Sequence, residues 1–397
     1  MNPVRGLARD KVASPKDLGG ATSNGMKNLR EIDLKDKKVL LRTDFDVPVS
    51  DKGQIEEAFR IKRQKETLDY LISHGAKVVM VAHISDKSID QSFASLIPQL
   101  HILLGHEINF LKTVPEIGEY LKNYLPAGRQ VPPALLENIR KNDGEEKNDL
   151  GFAKQLTEGF DLYINNAFAV CHRNHASVSA IATVLPSYAG FLIEEETAML
   201  QTVIDAPKNE KLLIMGGAKA STKIPVIKNF LDKADKILIG GVIANDILKA
   251  QGKDVGDSVI DENVSELLTG LDLNNPQLIL PKDYNSSQGK MLDIGPDSIK
   301  EFSEMIKNYK LIVWNGPMGM FEDDNFAEGT RAIAQAIADS SATKIIGGGD
   351  TIAAVSKFKI QNSKFNFIST GGGAMLAFLA GEKLPGLEVL GYYKSDN

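Results

Sequence analysis

The feature that most constrains this chain is an alternation repeated along most of its length: a short apolar run, a polar or glycine turn, then an amphipathic stretch. Residues 39–42, 77–82, 134–136, 162–164, 212–215, 236–239, 277–280, 311–314, 344–346 and 365–368 read as buried strands. Amphipathic stretches at 60–74, 223–233, 297–308 and 326–339 read as helices. Strands that alternate with helices predict parallel sheets built from right-handed crossovers, an α/β class. The 397 residues exceed one ordinary core, so two domains of roughly 150–200 residues are expected. The expectation is two doubly wound, Rossmann-like parallel-sheet domains joined by a helical hinge. Residues 190–206 (GFLIEEETAMLQTVIDA), which end just before Pro207, are the candidate hinge helix. Pro-rich 126–133 reads as a loop, and no internal repeat is visible.

Composition narrows the partners. A formal charge of −6 and a pI near 5.7 argue against nucleic acid and anionic membrane surfaces. An anionic ligand must then be held by a local basic cluster. Cys171 is the single cysteine, so no intrachain disulfide can form, which fits a reducing cytoplasm. No apolar run approaches the roughly 20 residues of a membrane span. Residues 1–26 show no periodic apolar face, which suggests a tail or an early start, Met26 being a natural first residue. A transit peptide is the alternative for that stretch, disfavoured because Asp10 and Asp17 interrupt its basic residues.

In parallel α/β sheets ligands bind beyond the carboxyl ends of the strands. There the two halves differ. The first half carries charge: Arg42–Asp46 (RTDFD), His83, Glu137–Arg140 (ENIR) and Asn165–His175 (NNAFAVCHRNH), with Arg60 after the first loop. Arg60, His83, Arg140, His172 and Arg173 would converge on one anion, since the guanidinium fork suits carboxylate and phosphate. A solvated surface charge is the plain alternative for any one of them, but less so for several at successive strand ends. The second half carries glycines: Gly216-Gly217, Gly240-Gly241, Gly347-Gly348-Gly349 and Gly371-Gly372-Gly373. Each cluster opens onto an expected helix, whose free N–H groups and dipole suit phosphate. Asp350-Thr351 follows one cluster; the aspartate is either a helix cap or a ligand for Mg²⁺. Neither GxxxxGK[ST] nor GxGxxG after a strand is present, against a P-loop kinase or a typical dehydrogenase. Cys171, His172 and His175 lie together, yet nothing elsewhere supplies a second ligand pair at zinc-finger spacing.

The motifs GGAKASTK (216–223), VWNGPMGMFE (313–322), GGGDT (347–351) and STGGGA (369–374) resemble those of phosphoglycerate kinases. So do LLENIR, GEEKND, CHRNHAS and AGFL in the first half. The resemblance runs from about Lys27 to about Leu390. It implies reversible phosphoryl transfer between ATP and 3-phosphoglycerate, giving ADP and 1,3-bisphosphoglycerate, with Mg²⁺, in a cytoplasmic monomer whose two domains close on the substrates. The implied domains are residues 27–189 with 385–397 for phosphoglycerate, 190–206 as connector and 207–384 for nucleotide. The resemblance implies that Asp44, Asp46, Arg60, His83, Arg140 and Arg173 hold phosphoglycerate. It assigns Arg60, Lys219, Gly372 and Gly373 to the transferring group. Gly217, Lys219, Lys223, Gly241, Asn315, Pro317, Glu322, Gly348, Gly349, Asp350 and Thr351 would form the nucleotide site, Asp350 holding the metal.

Four positions depart from the family's pattern. Asp46 stands where DFN has asparagine, Asp86 where HLGR has arginine, Thr222 where SDK has aspartate and Asn166 where NDAF has aspartate. The segment 253–295 is also shorter than expected. Lys87 is expected to turn in and offset Asp86. A divergent kinase with another acidic acceptor, or a weakened nucleotide-binding regulator, is the alternative; retention of Arg60, Lys219, Lys223 and Asp350 favours catalysis.

Overall fold

A computed structural model describes residues 25–27, 29–123 and 131–393. The expectations for residues 1–24, and most of the Pro-rich 126–133 segment, lie outside the described residues. The chain divides into two compact units. One holds the described residues of Thr22–Thr197 and Glu382–Asn397, the other Ala198–Gly381.

The first unit contains β1 (Lys38–Arg42), β2 (Lys77–Val81), β3 (Asn109–Leu111), β4 (Ala134–Leu136), β5 (Leu162–Asn165) and β6 (Ser187–Ala189). They form one parallel sheet in the order β3-β4-β2-β1-β5-β6. Alternate residues of a strand face opposite sides, and here both sides are covered. Val39, Leu41, Val78 and Met80 join one core cluster. Leu40, Val79, Val81 and Tyr163 join a second on the other face. Burial on both faces is why these strands read as unbroken apolar runs.

The second unit contains β7 (Lys211–Met215), β8 (Lys236–Ile239), β9 (Leu278–Ile279), the antiparallel pair β10 (Tyr284–Ser287) and β11 (Lys290–Ile294), then β12 (Leu311–Asn315), β13 (Thr343–Gly347) and β14 (Phe367–Ser369). The sheet order is β14-β13-β12-β7-β8-β9, all parallel. Both sheets are therefore doubly wound, and a long helix, Phe191–Asp205, carries the chain from one unit into the other. In each sheet the chain reverses direction beside its first strand, which opens a crevice at the carboxyl ends. In the first sheet that crevice lies between β1 and β5, in the second between β7 and β12.

Three helices differ from their sequence patterns. The stretch expected as one helix at 60–74 is two, Phe59–Arg63 and Lys65–Ser73. They break at Gln64, which is fully buried and donates its side-chain amide to the Arg60 carbonyl. The helix expected at 223–233 lies three residues earlier, at Ala220–Phe230, because Asp261 accepts the Ala220 N–H at 2.6 Å and caps it there. The helix expected from 326 starts at Glu328, after a 3₁₀ turn at Asp324–Phe326.

Candidate active sites

In the first unit, the residues after β1, β2, β4 and β5 gather around a set of arginines. Asp44 follows β1 and is almost fully buried, with its Oδ2 3.6 Å from Arg60 Nη1. Arg60 sits in the short helix Phe59–Arg63 and also donates to the Asp46 carbonyl at 3.3 Å. The Asp46 carboxylate accepts from Ser85 N–H at 2.8 Å and lies 3.3 Å from His83 Nε2. Burial works to raise its pKa, but the His83 ring, the Ser85 N–H and Arg60 outweigh it and hold the acid well below the usual carboxylate range.

His83 is buried, and its Nδ1 lies 3.2 Å from Arg42 Nη2. An arginine has only donors, so Nδ1 accepts and the proton rests on Nε2, facing Asp46. Burial, with Arg42 adding to it, lowers the His83 pKa and keeps the ring neutral.

Arg140 lies in the 3₁₀ turn after β4 and donates to Ser85 Oγ at 3.0 Å. Its Nε is 3.3 Å from Glu146, and neither Nε nor Nη2 makes a hydrogen bond among the described residues, although both are buried. Burial first, then the neighbouring charge of Arg173, lowers its pKa. Two arginines held close enough to repel, one with unused donors, make a receptor for an anion. Arg173 is exposed, and His172 beside it is lowered to about 4 by burial and by Arg173. Neutral His172 contributes no charge to this cluster.

In the second unit the four glycine clusters divide into two kinds. Around β7 and β12 the glycines let strand ends touch one another. A Cβ on Gly241 would lie 2.5 Å from Gly217 N, and one on Gly316 would lie 2.2 Å from the Gly216 carbonyl. The N–H groups are engaged as well: Gly217 donates to Pro317 O at 2.6 Å, Gly241 to Met318 O at 2.9 Å and Val242 to Gly217 O at 3.1 Å. The N–H groups of Gly217 and Gly241, two of the residues expected to line the nucleotide site, thus bind the adjoining loops. Asn315, whose Nδ2 donates to Gly347 O, and the buried Thr351, whose hydroxyl accepts from Gly316 N–H, likewise tie loop to loop.

The other kind is open. Gly348, at φ +99°, precedes the helix Gly349–Lys357, which has no side-chain cap. A Cβ on Gly349 would meet nothing within 4 Å. The first turn of this helix therefore offers unpaired N–H groups to an anion. Asp350 is exposed in that turn. Gly372, at φ +51°, precedes the helix Gly373–Leu379, also without a side-chain cap, and Gly373 is exposed. Glu322 is exposed after the loop that follows β12.

Two lysines complete this site. Lys219 is exposed at φ +65° just ahead of the helix Ala220–Phe230. Lys223, one turn on, is buried, with its ammonium on the Gly216 carbonyl. Burial lowers its pKa to about 8, with Asp350 opposing the fall. Among the described residues no group of three or more His, Cys, Asp or Glu is placed to hold a metal alone. A single exposed carboxylate beside uncapped N–H groups fits a cation that arrives with nucleotide phosphates.

A family model described as phosphoglycerate kinase matches residues 29–382. The chain belongs to the phosphoglycerate kinase family. Among the curated relatives, a phosphoglycerate kinase from Prochlorococcus marinus is 42% identical over 398 residues, covering 92% of this chain and 98% of its own. One from Coprothermobacter proteolyticus is 36% identical over 390 residues with the same coverage. The solved phosphoglycerate kinase of Pyrococcus horikoshii OT3 superposes with a TM-score of 0.80 at 31% identity, over 92% of this chain and 99% of that one. That of Coxiella burnetii gives 0.75, also at 31% identity, over 92% and 98%. Membership in the phosphoglycerate kinase family makes the activity phosphoryl transfer, using a nucleotide and the phosphoglycerate for which the family is named.

Sequence reasoning assigned no individual role to several residues that shape the sites. Arg42, Glu145 and Ser177 are fully buried behind the first site. Asp261 caps Ala220 at the start of the helix that follows Lys219, and its own N–H is held by Asp246 at 2.9 Å. Ser177, between Ala176 and Val178, gave no signal of its own, and neither did Asp246.

Proposed function

We propose that the chain moves a phosphoryl group reversibly between ATP and 3-phosphoglycerate, giving ADP and 1,3-bisphosphoglycerate. The observation that carries this reading is Arg140, which keeps two buried nitrogens without a hydrogen-bond partner among the described residues, next to Arg173. That pair suits the phosphate of the acceptor. The buried Asp44 Oδ2, which has no hydrogen-bond partner among the described residues, suits an acceptor hydroxyl. Residues 27–189 with 385–397 would form the acceptor domain, 190–206 the connector and 207–384 the nucleotide domain.

On the nucleotide side the N–H groups of Gly349 and its neighbours, with Lys219 and Lys223, would receive the phosphates. Glu322 would meet the ribose, and Asp350 would be the protein's carboxylate for Mg²⁺. Bound with nucleotide, Mg²⁺ supplies charge neutralisation at the phosphate oxygens. Lys219 and Arg60, with N–H groups near Gly372 and Gly373, would stabilise the group in flight. Phosphoryl transfer asks little covalent work of a protein, so positioning and charge carry the rate. We place the protein in the cytoplasm as a monomer; no helix among the described residues is long and apolar enough to cross a membrane. A coupled assay with ATP and 3-phosphoglycerate tests the reading. Turnover dependent on both substrates and on Mg²⁺ is expected, and its absence with purified folded protein would overturn it.

A further inference from the structure

Behind the acceptor site runs a continuous buried relay. The Glu145 carboxylate is wholly enclosed and accepts from Ser177 twice, from Oγ at 2.6 Å and from the backbone N–H at 2.9 Å. Arg42 Nε donates to the same Ser177 Oγ at 2.9 Å. Arg42 Nη1 donates to Thr43 O at 2.6 Å, and Nη2 lies on His83 Nδ1 at 3.2 Å. His83 Nε2 then faces Asp46, the residue whose carbonyl holds Arg60. Ser177 cannot drift, because Tyr163 donates its hydroxyl to the Ser177 carbonyl at 2.6 Å.

We propose that Ser177 and Glu145 are positioning residues of the acceptor site, acting through Arg42 to fix the tautomer of His83 and thereby the placement of Asp46 and Arg60. The inference rests on the acceptor reading above. The chemistry is one of direction. The Ser177 hydroxyl has one proton and two lone pairs; it gives the proton to Glu145 and takes Arg42 Nε–H. That orients the guanidinium so that its remaining fork must donate to His83 Nδ1. A ring accepting at Nδ1 can only donate at Nε2. Asp46 therefore meets a donor and remains in place as a carboxylate, carrying its carbonyl toward Arg60. Fully satisfied buried networks of this kind specify one arrangement, while a gap in one leaves costly unpaired groups.

The test has two independent readouts. Nitrogen NMR of the folded full-length protein should show His83 protonated at Nε2 and bare at Nδ1 near neutral pH, whether or not substrate is present. Ser177→Ala should shift His83 toward mixed tautomers and raise the KM for 3-phosphoglycerate about tenfold, leaving the KM for ATP within about twofold. Glu145→Gln, which keeps one acceptor for Ser177, should fall between the two. A parent His83 protonated at Nδ1 would overturn the proposal even if no variant folds. So would a Ser177→Ala enzyme that loses thermal stability but keeps its phosphoglycerate KM. If the parent fails to turn over 3-phosphoglycerate at all, the acceptor reading falls instead, and the tautomer measurement still judges the relay.

Discussion

Lys223 is held in a position that costs the fold stability, and Lys223→Met separates that cost from its proposed part in the chemistry. The ammonium is buried on the Gly216 carbonyl among backbone glycines. Its pKa drops from the ordinary 10.5 to about 8, mainly through burial. That difference corresponds to about 3 kcal/mol of strain on the charged form in the nucleotide-free protein. The sign follows from proton linkage: with the folded pKa below the unfolded one, the unfolded chain binds more protons between pH 8 and 10.5. Stability therefore rises with pH across that window and carries the full penalty below pH 8. Methionine has a similar length and no charge. Its substitution removes the penalty but leaves the Gly216 carbonyl without its partner, a loss of about 1–2 kcal/mol. The variant should be more stable than the parent by about 1–2 kcal/mol at pH 7 without nucleotide. The advantage should shrink and reverse by about pH 10, where the parent's lysine is neutral. Turnover should fall at least 10²-fold, because the group proposed to meet the nucleotide phosphates is gone. Urea unfolding of both proteins across this pH range, paired with steady-state kinetics, makes the comparison. Parallel stability curves, with the variant weaker at every pH, would refute the reasoning.

Three further outcomes are expected. Lys219→Ala should reduce kcat by roughly 10²–10³ with a smaller change in nucleotide KM, the pattern of a group that acts on developing charge; near-parental kinetics would return Lys219 to a solvated lysine at a helix start. Asp350→Ala should abolish Mg²⁺-nucleotide turnover while calorimetric binding of 3-phosphoglycerate is retained, and equal loss of both would contradict the division of labour. Asn166→Asp should destabilise the first unit by about 2–3 kcal/mol in thermal or urea unfolding, because Asn166 Nδ2 donates to the buried Gln64 Oε1 at 2.9 Å, a bond a carboxylate cannot make.

The strands were legible where burial on both faces makes an apolar run, as at β4 and β8, whose ends coincide with the sequence pattern. They were not at β3 and β6, edge strands in which two of the three residues are only half-buried. The hairpin of β10 and β11 also escaped. Its two-residue turn, Gln288-Gly289, has both φ angles positive, a hairpin geometry that a Gln-Gly pair signals less clearly than Asn-Gly. At the candidate sites, charge and glycine at strand ends mark residues that the fold gathers, because in a parallel sheet those ends converge whatever the helices do. What glycine does there was less visible. Gly241 and Gly349 look alike in sequence, yet one closes onto Gly217 and the other faces open space. The relay behind His83 was invisible, since Arg42 and Ser177 are 135 residues apart and a buried serine has no pattern of its own.

The two acids that look hostile to an anion show why residue identity alone misjudges a site. An uncompensated carboxylate about 5 Å from a phosphate, at an effective dielectric near 20, would cost roughly 3 kcal/mol, and Lys87 was the expected remedy for Asp86. The structure provides another. Asp86 is half-buried and accepts the Val49 backbone N–H at 2.8 Å, so its charge serves to pin the loop after Asp46, while Lys87 is exposed. Asp46 is held by Ser85 N–H and His83. Ser85 in turn receives Arg140 at its hydroxyl, so the acid and the arginine share one bridging residue. Each carboxylate is thus bound to donors supplied by the first unit itself, and Arg140 Nη2, which has no hydrogen-bond partner among the described residues, remains for the ligand. Sequence displays charges, whereas the donors that hold them are backbone groups common to every residue. The effect of an acidic substitution at such a site is decided by which N–H groups the fold brings within reach.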